Sequence, residues 1–285
     1  MAHDHVVRAM TDDGAFRCIT VDATSTVRAV LAAQEADPET SRLLGELVVG
    51  SVLYRETMAP TLRVQCICRG AGASGTLVAD AHPDGMTRGL YQAGKTRPFS
   101  LEGEGALLQM TRNLPTGSQH QGIVGVSGIS LDAAFMTYFD QSEQILTMVS
   151  VGVAQGPGGE VEAAGGFLVQ LLPEAKDARG PLTVLTERFE DFRDFTGVLR
   201  ELNADPRALT ERILEGMDFT WLADSRIHFG CTCSQERVLA SLATLDRSEI
   251  ESLMADGEPF DMSCDYCGRS YRVDLATLRG LLSPS

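Results

Sequence analysis

Hydrophobic positions along this chain change period several times, and each change marks an element. Residues 16–21 alternate as in a short strand, and residues 26–36 have the amphipathic spacing of a helix stopped by Asp37-Pro38. Leu43, Leu44, Leu47 and Val48 fall at helical spacing in a second, more apolar helix, which predicts burial. After Pro60 the period drops to two. Leu62, Val64, Cys66 and Cys68 alternate with Arg63, Gln65, Ile67 and Arg69, the pattern of a half-buried strand with both cysteines on its apolar face. Further strands are predicted at 76–80, 87–91, 106–112, 122–127, 145–153 and 166–172, and a helix at 131–138 capped by Ser130. Strands clustered as neighbours, with helices at the edges, indicate an α+β fold and not a doubly wound sheet.

Past Pro173 the pattern breaks into a polar linker, Glu174-Ala-Lys-Asp-Ala-Arg-Gly180-Pro181. Phe189, Phe192, Phe195, Leu199 and Leu202 then recur at steps of three or four within a segment dense in charge, and Asp205-Pro206 opens another helix bearing Leu209, Ile213 and Leu214. Helices this short are marginal in water and must lean on something. Periodicity leaves two readings open, ordinary core packing or a detachable lid over an apolar surface. From His228 onward, Ser234 caps a helix with Val238, Leu239 and Leu242, and Asp246 with Glu249 forms a capping-box-like pair before Ile250 and Leu253. Phe260, Met262 and Cys264 alternate as a strand, Tyr271 and Val273 form its partner, and a helix with Leu275, Leu278 and Leu282 ends the chain. The organisation expected is a large α+β domain (1–180), a metastable helical linker (181–227) and a small C-terminal module (228–285).

The chemistry is concentrated in that last module. Cys231-Thr-Cys233 and Cys264-Asp-Tyr-Cys267-Gly268 are two close thiol pairs joined by one insert, the donor set of a tetrahedral zinc site with one ion per chain. Gly268 permits the tight turn of a knuckle. The first pair is one residue tighter than the common spacing. A redox-active C-x-x-C acting alone would need a strand leading into a helix N-terminus, which nothing around Cys264 provides. His228 precedes Cys231 closely, but four cysteines leave it no vacancy. Four protein ligands close the sphere, so the site is not a Lewis-acid catalyst. Cys66 and Cys68 read as small core residues and Cys18 is unassigned, with extra thiol chemistry open at all three; His3 and His5 are expected in a loose terminus.

Composition narrows the function. In 285 residues the net charge is -15, which opposes general attraction to nucleic acid. No stretch has the apolar length of a membrane span, and the N-terminus lacks the pattern of a signal peptide, so a cytoplasmic location is expected. There, paired cysteines are kept reduced. Gly89-Leu-Tyr-Gln-Ala-Gly94-Lys95-Thr96 matches the P-loop pattern, yet Arg97-Pro98 disfavours the helix such a loop must open, so nucleotide binding is rejected.

A module this small buries little apolar surface and depends on its metal to fold. Oxidation could remove that metal, since zinc-held thiolates react with peroxide and a resolving thiol stands beside each. Cys264 with Cys267 makes a feasible disulfide, while Cys231 with Cys233 makes a strained one that forms once the surroundings have loosened.

The stretches Cys231-Thr-Cys233-Ser-Gln-Glu-Arg237 and Phe260-Asp-Met-Ser-Cys264-Asp-Tyr-Cys267-Gly268 closely resemble the C-terminal signature of the heat-shock protein 33 family of redox-regulated holdase chaperones. Leu43-Leu-Gly-Glu-Leu, His120-Gln-Gly-Ile-Val, Ser142-Glu-Gln and Ala164-Gly-Gly-Phe-Leu resemble its N-terminal domain. The resemblance implies an inactive, reduced, zinc-bound monomer. Oxidants with heat would then form the disulfides Cys231-Cys233 and Cys264-Cys267, expel zinc, unfold the linker and expose a surface for unfolded client proteins, often in a homodimer, without ATP. It favours the lid reading; no enzyme activity is expected, and charge and the lack of an apolar span speak against nucleic-acid and membrane partners. Cys18, Cys66 and Cys68 fall outside the signature. The alternatives are a thiol-disulfide oxidoreductase using Cys264 and Cys267, and a constitutive zinc-stabilised interaction module.

Overall fold

The computed structural model describes residues 4–95, 98–113, 117–172, 179–255 and 257–282. The chain opens with antiparallel strands β1 (His5–Thr11) and β2 (Phe16–Asp22), then helices α1 (Thr24–Ala32) and α2 (Pro38–Glu56). Asp37 caps α2 by accepting from the amides of Glu39 and Thr40, and Pro38 takes the first turn, where its missing amide costs nothing. Strands β3 (Val64–Arg69), β4 (Gly75–Ala81), β5 (Met86–Ala93), β6 (Leu107–Asn113) and β7 (Gln119–Gly125) follow, then α3 (Leu131–Tyr138), β8 (Thr147–Gln155) and β9 (Val161–Leu171). Helices α4 (Arg179–Arg188), α5 (Phe195–Glu201) and α6 (Pro206–Ile213), with strands β10 (Phe219–Arg226) and β11 (His228–Phe229), complete the first of two units, Met1–Phe229. The second, Gly230–Ser285, contains α7 (Gln235–Leu242), α8 (Arg247–Leu253), the hairpin β12 (Phe260–Ser263) and β13 (Ser270–Val273), and α9 (Leu275–Leu281).

Two sheets build the first unit, one ordered β10-β1-β2-β9-β8 and the other β11-β5-β4-β3-β6-β7. α2 runs between them and packs on both, which is why it is buried on every side and reads as continuously apolar. The approach is close. A side chain at Gly50 would put its Cβ 2.1 Å from the Phe135 ring of α3. The principal core forms around α2 from Leu44, Leu47, Val48, Ile19, Val21, Leu168, Val64, Cys66, Cys68 and Leu108.

The first sheet is covered on its other face as well, so its strands are apolar on both sides. In β2, Ile19 and Val21 point to the α2 core, while Phe16 and Cys18 point into a second core shared with the helices that follow residue 179. This second core holds Phe167 and Val169 of β9 with Leu185, Phe192, Phe195, Leu199, Leu209, Ile213 and Leu214.

Most expected elements are present, including the caps at Ser130, Asp205 and Ser234 and the acceptance of the Asp246 amide by the Glu249 carboxylate. The helices expected within 181–227 are present too, but that stretch ends in a strand the sequence reading missed. β10 pairs antiparallel with β1, and Phe219 and Trp221 alternate to pack on the second core. His5 is not in a loose end; it begins β1 and pairs with Asp22 of β2, because the apolar Val6, Val7 and Ala9 carry it into the sheet. His3 and most of the polar linker, residues 173–178, lie outside the described residues. Gly89 through Ala93 of the P-loop match belong to β5, Thr96 lies outside the described residues, and no helix is described between residues 98 and 130. Among the described residues no helix is long and apolar enough to cross a membrane.

Candidate metal centre

In the second unit the insert between the thiol pairs folds back on itself, so distant cysteines meet. Val238, Leu242, Ile250, Val273 and Leu278 form its small buried core, drawing α7, α8, β13 and α9 together. The hairpin of β12 and β13 delivers Cys264 and Cys267 at its turn. There the amides of Cys267 and Gly268 both donate to the Cys264 carbonyl, at 3.2 and 2.8 Å, and the Cys264 amide donates to Arg269 at 2.9 Å. Gly268 at the end of the turn has φ +68°, a conformation that disfavours a Cβ. The other pair lies in the chain leading to α7, whose amide at Arg237 is capped by Ser234.

The Sγ atoms of Cys231, Cys233, Cys264 and Cys267 all lie within 4.8 Å of one another and could hold a metal ion. Two close approaches run between the pairs, 3.7 Å for Cys231 to Cys264 and 3.4 Å for Cys233 to Cys267. Zinc–sulfur bonds of about 2.3 Å in a tetrahedron give sulfur–sulfur edges of about 3.8 Å, so the donor set fits such an ion. His228 stands apart in β11, paired with Met86 of β5, and is not in the cluster.

The thiols are not equivalent. The Tyr271 hydroxyl lies 3.0 Å from Cys233 Sγ. Burial raises the Cys233 thiol, but the bonds from Tyr271 and the neighbouring sulfurs outweigh it and hold it at about 7. Burial pushes Cys267 up to about 12 and raises Cys264 as well. Sequence periodicity had placed Tyr271 in the partner strand, yet nothing in it marked the hydroxyl as a sulfur partner; that emerges from the register Met262 to Tyr271.

The remaining thiols are buried in the first unit. Cys66 and Cys68 lie fully buried on the face of β3 turned to α2, as the alternation predicts, and Cys18 sits under the helices after residue 179. Burial raises all three, Cys18 and Cys68 to about 12.

Those helices form the other candidate functional element. Phe167 of β9 is ringed edge-on by Phe189, Phe192 and Phe195, with centroids 5.3, 5.1 and 5.4 Å away. All the stripe residues named from periodicity enter this one core, Phe189 and Leu202 at its margin. Few polar contacts hold the seam. Among them the Thr20 hydroxyl donates to the Pro206 carbonyl, and Arg207 pairs with Asp224 of β10 while lying 4.8 Å from the Trp221 ring.

Comparison with known proteins completes the description. The family described as Hsp33 protein matches residues 4–274. The chain is 31% identical over 298 residues to the 33 kDa chaperonin of Enterobacter sp., covering 99% of this chain and 97% of that protein. It is 29% identical over 289 residues to the 33 kDa chaperonin of Shouchella clausii, covering 98% and 97% of the two chains. In fold it is similar to the crystal structure of the 33 kDa chaperonin of Thermotoga maritima, with a TM-score of 0.87 at 22% identity and coverage of 99% and 98%.

Proposed function

The chain belongs to the Hsp33 family of chaperones, and on that premise we propose that it is a redox-regulated, ATP-independent holdase, inactive when reduced and zinc-bound. Unfolded proteins are its partners, and no catalytic turnover is involved. The observation that carries this reading is the clustering of four thiols in a unit whose buried core is only a handful of side chains.

Cys231, Cys233, Cys264 and Cys267 would hold the zinc. When bound, the ion would supply a fixed cross-link and keep the sulfurs as thiolates, worth roughly 10 to 16 kcal/mol of folding free energy in small zinc modules. A whole domain is stable by only about 5 to 15 kcal/mol, so the fold of 228–285 depends on those four donors. Oxidation removes the donors. A thiolate attacks peroxide and gives a sulfenic acid with release of hydroxide; the neighbouring thiol then attacks that sulfur, water leaves, and each disulfide passes two electrons to the peroxide.

The proposed pairing is Cys264 with Cys267 first, then Cys231 with Cys233. The short C-x-C ring closes only with local rearrangement, which follows loosening of the module. Peptide mapping of partly oxidised protein tests this order. Cys264-Cys267 alone in the early fraction supports it, whereas a Cys231-Cys264 cross-link or an early Cys231-Cys233 bond overturns it.

Loss of the C-terminal module is read as releasing 181–227. This stretch follows the large domain 1–180; its helices cover the apolar outer face of β2, β8 and β9 and are too short to be stable alone, and it ends in β10 at the edge of that sheet. Once it detaches, Phe167, Val169 and Phe16 become available to extended apolar chains, with homodimers forming from reduced monomers. A cytoplasmic setting, where thiols stay reduced until stress, suits this cycle.

A further inference from the structure

Away from the cysteines, a cleft of about 490 Å³ opens in the first unit where the end of α2, the β4–β5 turn and the end of β10 meet. This volume falls in the range of small-molecule sites, roughly 300 to 1,000 Å³. Arg8, Arg55 and Arg226 line it against two carboxylates, Glu56 and Asp84. In a chain of net charge -15, three arginines around one cleft make a local reversal of sign.

Both carboxylates are already engaged. Glu56 accepts from Arg8 Nε at 2.8 Å and from Arg55 Nη1 at 3.3 Å, and Asp84 accepts from the Met86 amide at 3.0 Å. Arg8 also donates to Ser225 Oγ at 2.6 Å, and Arg55 to the Pro60 carbonyl. What remains is donor capacity. The Arg55 side chain is only 8% exposed, and its Nε has no acceptor among the described residues. That Nε is shut off from solvent, but Nη1 and Nη2 each carry a further N–H beyond the one spent on Glu56 and on the Pro60 carbonyl. Arg226, exposed on the last residue of β10, lines the same cleft.

The backbone that carries Arg226 is held firmly here. Gly85, at φ +84°, packs so tightly that a Cβ would lie 2.0 Å from the Arg226 carbonyl oxygen. On the other side of this contact the His228 amide donates to the Gly85 carbonyl at 3.0 Å. The β4–β5 turn is thus latched onto the chain between β10 and β11.

We propose that this cleft binds a small phosphate monoester, its phosphate held between Arg55 and Arg226 and its organic part against Met58 and Pro83. Guanidinium forks suit phosphate oxygens, and the cleft is larger than a bare phosphate requires. Because the site joins α2 to β10, an occupied site favours the docked strand. It is independent of the cysteine chemistry, and its test uses the reduced chain throughout.

The test is calorimetric titration of the full-length, reduced, zinc-loaded protein with glycerol 3-phosphate and, separately, with inorganic phosphate, at ionic strength fixed by sodium chloride. Arg226→Ala, at an exposed position, is the variant, and its thermal midpoint checks that it folds. The proposal expects saturable one-to-one binding of the ester, weaker binding of inorganic phosphate, and affinity reduced by about tenfold or more in the variant, the loss of one charge-assisted contact. No saturable binding, binding unchanged in Arg226→Ala, or inorganic phosphate binding as tightly as the ester would each overturn it.

Discussion

The Oγ1 atoms of Thr20 in β2 and Thr210 in α6 lie 2.8 Å apart, fully buried, and both hydroxyls reach the Pro206 carbonyl, at 2.7 and 2.9 Å. In a seam made mostly of apolar side chains, this knot sets the register of α6 on the sheet. Thr210→Val keeps the volume and removes one hydroxyl, at a cost of about 1 kcal/mol. The expected result is a lower urea midpoint, followed by fluorescence of Trp221, the single tryptophan. Activation by peroxide should then occur at a lower temperature. An unchanged midpoint would show that the knot contributes nothing to holding the cover down.

A larger effect is expected from the aromatic cluster. Phe192→Ala removes a ring 5.1 Å from Phe167 and should cost about 3 to 5 kcal/mol in the seam. The variant is predicted to bind a hydrophobic dye, and to hold unfolded clients partially, while still reduced. Full silence in the reduced state would argue that the helices after residue 179 do not guard the client surface.

How much of this was legible beforehand depended on local signals. Alternation in β3 correctly put Cys66 and Cys68 on one buried face, and the Ser/Asp caps located α3, α6 and α7. The cysteine spacing anticipated the sulfur cluster because metal ligation demands specific residues at short range. β10 escaped because its place comes from pairing with β1 across more than two hundred residues, which no local period records; β1 was passed over although Val6, Val7 and Ala9 are apolar and its other partner, β2, follows closely. Tyr271 escaped as the sulfur partner of Cys233 because that side-chain contact spans 38 residues and leaves no periodic trace. The lid and core readings of the phenylalanine stripe could not be separated by spacing, since a cover at rest packs as any core does.

Stability of the first unit should fall as pH rises toward neutrality. Glu46 lies on α2 beside Arg42, with Asp132 and Glu39 also acting on it; burial outweighs the attraction of Arg42 and raises its carboxyl from 4.5 to about 7. The folded state therefore binds the extra proton between those values, and stability present below pH 4.5 is lost progressively up to about 7. Asp132, raised by burial to about 6, adds in the same direction. Urea midpoints measured from pH 5 to 8 should decline in the natural chain, and Glu46→Gln should flatten the decline. A rise with pH would contradict the assignment.

Thiol labelling separates the two classes of cysteine. Treating reduced protein with a chelator should leave four thiols open to the reagent, while Cys18, Cys66 and Cys68 stay silent because the folded first unit shuts it out. Denaturant should then bring the total to seven. Rapid labelling of more than four in the folded chain would place a buried cysteine within the redox chemistry.

The most direct test is light scattering from a chemically unfolded protein diluted into buffer with this chain, reduced and zinc-loaded or treated with peroxide while warm, with zinc release followed in the same samples. Suppressed aggregation only after oxidation, with one zinc released per chain, is the predicted result. Equal suppression in both states, or zinc retained throughout, would contradict the switch.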